Sequence, residues 1–451
     1  MSPAAHRRVA RERRGDRRRA IACSYANGLL WAVGNGLISS TLVIYLALQL
    51  GAKGVAISAI LAAPRLAGVL RLGAPAVFGW GARRRAGGGR ALGRKGFCLV
   101  GYLASGATLV MVPIAATYAG RYGAAWGVTA LVVAWSVYHL LEYAATVALW
   151  SWLGDVYPRA IRSQLVAGRE RWKLYGRIFG FGASVLLTTL WAWSLPAGER
   201  WQPLAASASV GAALLVIAVV PLGFMPAFAG APSARPVAPA RTLVAALLDR
   251  RYRRLLAFSM SFAVANGLTA AAQGMYPWKV LGIDYASMVG LRAGLRGGQA
   301  AITHQSGVWL RRYGVRRVMT LAQLLVATGP LFYLLATPAP PWWAPGWIVV
   351  AFVVWVAYAP LNIGLDTLKV SYADPTNNSP YVAVYHTAGD LANAATTLLG
   401  GWLFDQRLQA GADAMEVYAG LFLVGWLART IAAGLAWRLE DPVNTRRVKQ
   451  G

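Results

Sequence analysis

The sequence is poor in cysteine and in acidic residues. Cys23 and Cys98 are the two cysteines in 451 residues; they exclude a disulfide framework, and neither stands at metal-ligand or redox spacing. Only 16 Asp and Glu face 45 Lys and Arg, and charged residues of both signs make up 14% of the chain, against about 25% in an ordinary soluble domain. A phosphate-binding GxxxxGK[ST] loop is missing, as are HExxH and CxxC spacings and any Ser/His/Asp arrangement in a segment long enough to hold a substrate. An ATP-driven pump, an enzyme, and a metal or other cofactor are therefore not expected.

What is abundant is apolar. Hydrophobic residues reach 57%, aromatics 11%, and there are 49 glycines, the composition of a polytopic helical membrane protein. Crossing ~30 Å of hydrocarbon takes ~20 apolar residues, and twelve windows qualify: 21–46, 54–80, 97–117, 126–153, 178–195, 203–226, 255–276, 286–308, 318–337, 347–368, 385–404 and 416–437. The basic stretch before the first window is too long for a signal-peptide n-region and no small-residue cleavage site follows, so 21–46 is read as a retained first span.

A net charge of +29 would ordinarily suggest nucleic acid or an anionic surface. Sorted by position, 35 of the 45 basic residues fall on the side of the N-terminus, 5 in the opposite loops and 5 inside spans (Arg65, Arg71, Arg292, Arg296, Arg429). The positive-inside rule then places both termini in the cytoplasm of a multi-pass protein of the inner or plasma membrane. Eight arginines among the first twenty residues have no interleaved aromatics. They are read as a topology signal attracted to anionic lipids by ~1 kcal/mol each, and no nucleic-acid partner is expected.

The chain repeats itself. Ala32-Val33-Gly34-Asn35-Gly36-Leu37 recurs as Ala263-Val264-Ala265-Asn266-Gly267-Leu268, an offset of 231, and Gly79-Trp80-Gly81-Ala82-Arg83-Arg84 is echoed from Gly307 to Arg312 at an offset of 228. Two echoes at nearly one offset imply duplicated six-helix halves. The expected divisions are a basic segment 1–20, a bundle 21–228, a linker 229–250, a bundle 251–438 and a tail 439–451. Parallel repeats of this kind build transporters.

On these features the chain resembles the major facilitator superfamily over nearly its whole length. Gly307 to Arg317 is similar to that family's inner-loop signature, and Pro158, Arg162 and Gly168 resemble the loop after its fourth span. The resemblance implies an all-α membrane fold of twelve helices in two pseudo-symmetric halves, with Arg83, Arg84, Arg162, Arg311, Arg312 and Arg316 in the gating loops. The signature's Asp is replaced by Arg83 in the first half and Arg311 in the second, and the first-half loop lacks the regular spacing.

Polar groups inside spans are expensive and so point to function. In span 8, Arg292, Arg296, Gln299 and Thr303 form one helical stripe, with Gly290, Gly294 and Gly298 on the opposite face and Gly176 and Gly180 of span 5 as a candidate partner. In span 4, Trp135, His139, Glu142 and Thr146 form another; Glu142 and His139 come to about the depth of Arg71 and Arg65 in span 2. Glu142 is either a proton carrier or half of a permanent Glu-Arg tie, and His139 either a relay or a packing residue. Asn35, with Trp31, and Asn266, with Gln273, are substrate hydrogen-bonders or helix-helix ties; Arg429 is structural. The expected function is a monomeric secondary transporter of a small polar or anionic solute, coupled to protons. Its alternative is a facilitator-fold protein that no longer transports and handles lipid or senses.

Overall fold

A computed structural model of the chain describes residues 3–70, 94–157, 162–194, 199–226, 248–338, 343–372 and 379–441, and no strand occurs among them. Each of the twelve windows overlaps a helix or a broken helix, the second through its described residues 54–70. Span 1 is α1 (Pro3–Leu37) and α2 (Ser40–Gln49), broken where Ser39 caps the second piece by accepting from the Leu42 N–H. Spans 2 to 5 are α3 (Gly54–Ala67), α4 (Arg94–Tyr122), α5 (Ala124–Val156) and α6 (Arg162–Ser194). Span 6 is α7 (Gln202–Ile217) with α8 (Val220–Gly223). Spans 7 and 8 are α9 (Arg250–Lys279) and α10 (Tyr285–Tyr313); span 9 is α11 (Val315–Ala327) with α12 (Gly329–Leu335). Span 10 runs through α13 (Ala344–Val354), a 3-10 turn (Trp355–Ala357) and α14 (Tyr358–Tyr372), and spans 11 and 12 are α15 (Ser379–Gln409) and α16 (Ala414–Trp437).

Eight of these satisfy length and apolarity for crossing a membrane by themselves: spans 1, 3, 4, 6, 7, 9, 10 and 12. Of the others, spans 5, 8 and 11 fall short by this measure, and the described part of span 2, Gly54–Ala67, is a shorter apolar helix.

The chain divides into two compact units, residues 1–51 with 73–236 and residues 52–72 with 237–451. The second unit takes in α3, although residues 73–236 separate it from the rest of that unit. Two carboxylates of α15 hold α3 there. Asp405 accepts from the N–H groups of Gly54 and Val55, both at 2.8 Å, capping the helix start, and Asp390 binds the Arg65 guanidinium at 3.1 Å near its end.

Within each unit the helices pair alike. Span 1 packs on spans 5 and 6, and span 7 on spans 11 and 12; span 3 packs on span 6, and span 9 on span 12. The turns repeat as well: Gly51 and Gly282, again 231 apart, both take positive φ (83° and 64°), the region open to glycine without penalty. Residues 162–177 lie in α6, so the helix starts sixteen residues before the predicted span 5. Gly176 and Gly180 face span 1: a Cβ on Gly36 would come within 2.7 Å of the Gly180 Cα, and one on Gly176 within 2.6 Å of the Leu29 carbonyl. Both glycines thus serve a close backbone approach to α1 within the first unit.

Candidate functional site

In the first unit, Asn27, Trp31 and Asn35 of α1 and Arg169, Lys173 and Arg177 of α6 each recur every fourth residue, forming stripes along neighbouring helices. Arg169 donates to the Asn27 Oδ1 at 3.0 Å, while the Asn27 Nδ2 donates to the Ala218 carbonyl at 2.8 Å. Lys173 places its ammonium 5.3 Å from the centre of the Trp31 ring and is held by Glu170 at 2.9 Å. Gly28 leaves room for both stems, since a Cβ there would meet the Arg169 and Lys173 Cγ atoms at 3.3 and 3.4 Å.

Glu142 lies on α5, half-buried, and its Oε1 accepts from the Thr146 hydroxyl at 2.9 Å; Thr146 is in turn bonded to the Tyr102 hydroxyl at 2.8 Å. Among the described residues, Lys173 is the cation whose field reaches it. His139 packs edge-on against Trp135, with ring centres 4.5 Å apart, and against Tyr138 at 4.7 Å. Its Nε2 and the Trp31 Nε1 have no hydrogen-bond partner among the described residues. Of the two span 2 arginines, Arg65 pairs with Asp390, and Arg71, the residue at about the depth of Glu142, lies outside the described residues. Lys173 escaped the sequence because charges just before a predicted span read as loop.

The repeated asparagines are bonded in a repeated way. The Tyr138 hydroxyl of span 4 donates to the Asn35 Oδ1 at 3.0 Å, and the Tyr358 hydroxyl of span 10 donates to the Asn266 Oδ1 at 2.9 Å. Both tie first to fourth helix of their half. Here the copies diverge. Asn35 donates its Nδ2 to the Trp31 carbonyl at 3.1 Å, whereas Asn266 accepts a second bond, from the Arg429 Nε at 3.1 Å. Arg429, 1% exposed, also donates to the Thr269 hydroxyl at 2.9 Å. Nearby, the Gln273 Nε2 is buried without a partner among the described residues.

On α10, Arg296 is exposed and donates to the Gln299 Oε1 at 3.1 Å, and the Gln299 Nε2 donates to the Trp355 carbonyl at 3.3 Å. Arg292, one turn earlier, is half-buried. The glycine face meets span 10: Gly298 packs on Val356, while Gly290 and Gly294 line an apolar cavity of about 710 Å³ with Phe352 and Val353.

At the end of α10, Gly314 takes φ 87° and the following helix is capped by Asp441, which accepts from the Val315 N–H at 2.8 Å. Beside it Glu440 pairs with Arg251 at 2.6 Å and Arg254 at 2.9 Å. Arg311 is exposed, Arg312 stacks on Tyr313 at 5.4 Å and Arg316 on Trp437 at 4.6 Å. Arg83 and Arg84 lie outside the described residues, and Arg162 begins α6.

No protein-family profile and no curated protein matches the chain. Solved structures do. A mutant of the nucleoside transporter NupG superposes with a TM-score of 0.68 at 17% identity, covering 94% of this chain and 100% of that one. A D-xylose-proton symporter gives 0.62 at 14% identity, covering 94% and 98%. The POT family transporter PepTSo gives 0.63 at 13% identity, covering 94% and 99%. The chain has the fold of these transporters, the major facilitator fold.

Proposed function

We propose that the chain is a secondary active transporter that moves a small polar or anionic solute by alternating access, with protons as the coupling ion and Glu142 as the coupling site. The observation that carries this reading is the setting of Glu142. A carboxylate inside an apolar 33-residue helix costs several kcal/mol unless it faces protein or water. Its direct partner is a neutral hydroxyl, which can donate to the ionised form or accept from the protonated one. The cation near it, Lys173, already has Glu170. Among the described residues no arginine locks Glu142, so there it gains or loses a proton without stranding a partner.

The duplicated bundle and the transporter fold support alternating access. The exposed Arg296, with Arg292 and Gln299 on the same stripe, supports a solute bearing acceptors or negative charge. The chain is expected to act as a monomer, with its basic inner face against anionic lipids and both termini in the cytoplasm. A non-transporting, lipid-handling or sensory role drew on the missing signature Asp; in the second half Asp441 caps the helix that follows this loop.

The test is uptake into proteoliposomes under a proton gradient, with uridine, D-xylose, a dipeptide and a dicarboxylate as solutes, comparing wild type and Glu142→Gln. At least one solute should accumulate with wild type, and Glu142→Gln should keep counterflow while losing gradient-driven accumulation. Accumulation undiminished in Glu142→Gln removes the coupling assignment. A folded wild-type preparation that carries none of the four favours the non-transporting role.

A further inference from the structure

The two copies of the repeated asparagine differ in which edge of the amide is spent. Arginine carries donors and no acceptor, so the amide atom facing the Arg429 Nε must be the oxygen of Asn266. The Tyr358 hydroxyl donates to the same oxygen. With two donors on Oδ1, the N–H2 edge is turned away from Arg429, and no acceptor among the described residues takes it. Asn266 is partly exposed. In the first half the opposite holds: the Trp31 carbonyl can only accept, so it fixes the nitrogen of Asn35 inward, and both edges of that amide are used within the bundle.

We infer that Arg429 is a positioning residue that fixes the Asn266 amide with its N–H2 edge presented to solute, so that Asn266 acts as a hydrogen-bond donor selecting solutes with an acceptor oxygen. The donor role rests on the transport reading above; the orienting role does not. Arg429 is fully buried, is held by Thr269 at 2.9 Å, and has its own backbone carbonyl bonded by the Gln323 side chain at 3.0 Å. Its guanidinium therefore has little freedom to turn, and the amide it faces inherits that rigidity. No carboxylate among the described residues pairs with it, so its charge is balanced by dipoles, of which the Asn266 oxygen is one.

Two measurements test this. The first needs no solute: thermal unfolding of wild type, Asn266→Asp, Arg429→Met and the double variant. Asp at 266 keeps an acceptor for Arg429, so Asn266→Asp should be tolerated with Arg429 present and strongly destabilising with Met there, a non-additive cycle. An additive cycle overturns the orienting role. The second is transport kinetics with whichever of uridine, D-xylose, dipeptide or dicarboxylate wild type carries. Asn266→Asp retains the fold contact and loses the donor, so KM should rise about tenfold or more. Arg429→Met should raise KM similarly, with Arg429→Lys recovering most of it. Wild-type KM in Asn266→Asp overturns the donor role. If wild type carries no solute, the transport reading fails and the donor role with it, while the unfolding cycle still decides whether Arg429 orients Asn266.

Discussion

Single side chains in this protein are defined by what faces them across helices far apart in sequence. Asn27 is a clear case. It accepts from Arg169, which is 4% exposed and has no carboxylate partner among the described residues. Asn27→Leu should leave that guanidinium without its acceptor and cost about 2–3 kcal/mol, with Asn27→Asp restoring or exceeding wild-type stability through an ion pair. Thermal unfolding of purified protein reads this directly, and equal melting temperatures for wild type and Asn27→Leu would sink it. The sequence made Asn35 and Asn266 visible because the hexapeptide around them is repeated. It could not show that one amide is shared between its own helix and Tyr138 while the other is bonded by Arg429, 163 residues away, because hydrogen-bond direction depends on tertiary neighbours. Lys173 was hidden for a related reason: a lysine near a predicted boundary reads as solvated until the helix is seen to extend past it and lay the side chain over Trp31.

At the level of elements, existence and order were legible and extent was not. Apolar runs of about twenty residues are a strong signal in a membrane protein, and each of the twelve overlaps a described helix. The polar spans were harder, since α6 carries its charged first half on the same helix as its apolar second half. The junction of α3 and α15 was invisible, for it depends on two aspartates and a close approach rather than on hydrophobicity. Along α15, Asp390 and Asp405 are separated by ~22 Å, a reach that fastens α3 at both ends. Between them Gly401 lies directly against Gly54 and Ser58, so that any Cβ would collide. Gly401→Val should therefore prise the two helices apart and abolish folding or lower the melting temperature steeply. Asp405→Ala should cost about 1–2 kcal/mol through loss of the cap. Gly420→Ala, which meets no atom within 4 Å, should be neutral or stabilising in the same assay. A Gly401→Val protein as stable as the Gly420 control would refute the close-packing account.

For the whole molecule, the duplication organises the structure more deeply than the sequence match suggested. One offset of 231 relates the asparagines, the positive-φ glycines Gly51 and Gly282, and the helix starts at Gly54 and Tyr285, so a six-residue echo marked a correspondence spanning a helix, a turn and the next helix start. The excess of basic residues on one side predicts orientation. Lys53→Cys and Arg407→Cys should react with a membrane-impermeant maleimide on intact cells, and Arg312→Cys only after permeabilisation; labelling of all three from one side would contradict the assigned topology. The near absence of native cysteine now acquires a practical meaning. Cys98 is 0% exposed inside the first unit and Cys23 is half-buried, so the natural chain should react with thiol reagents at Cys23 alone. Replacing Cys23 alone should leave a background on which pairs of spin labels, one on each unit, act as a molecular ruler for the rearrangement that alternating access requires.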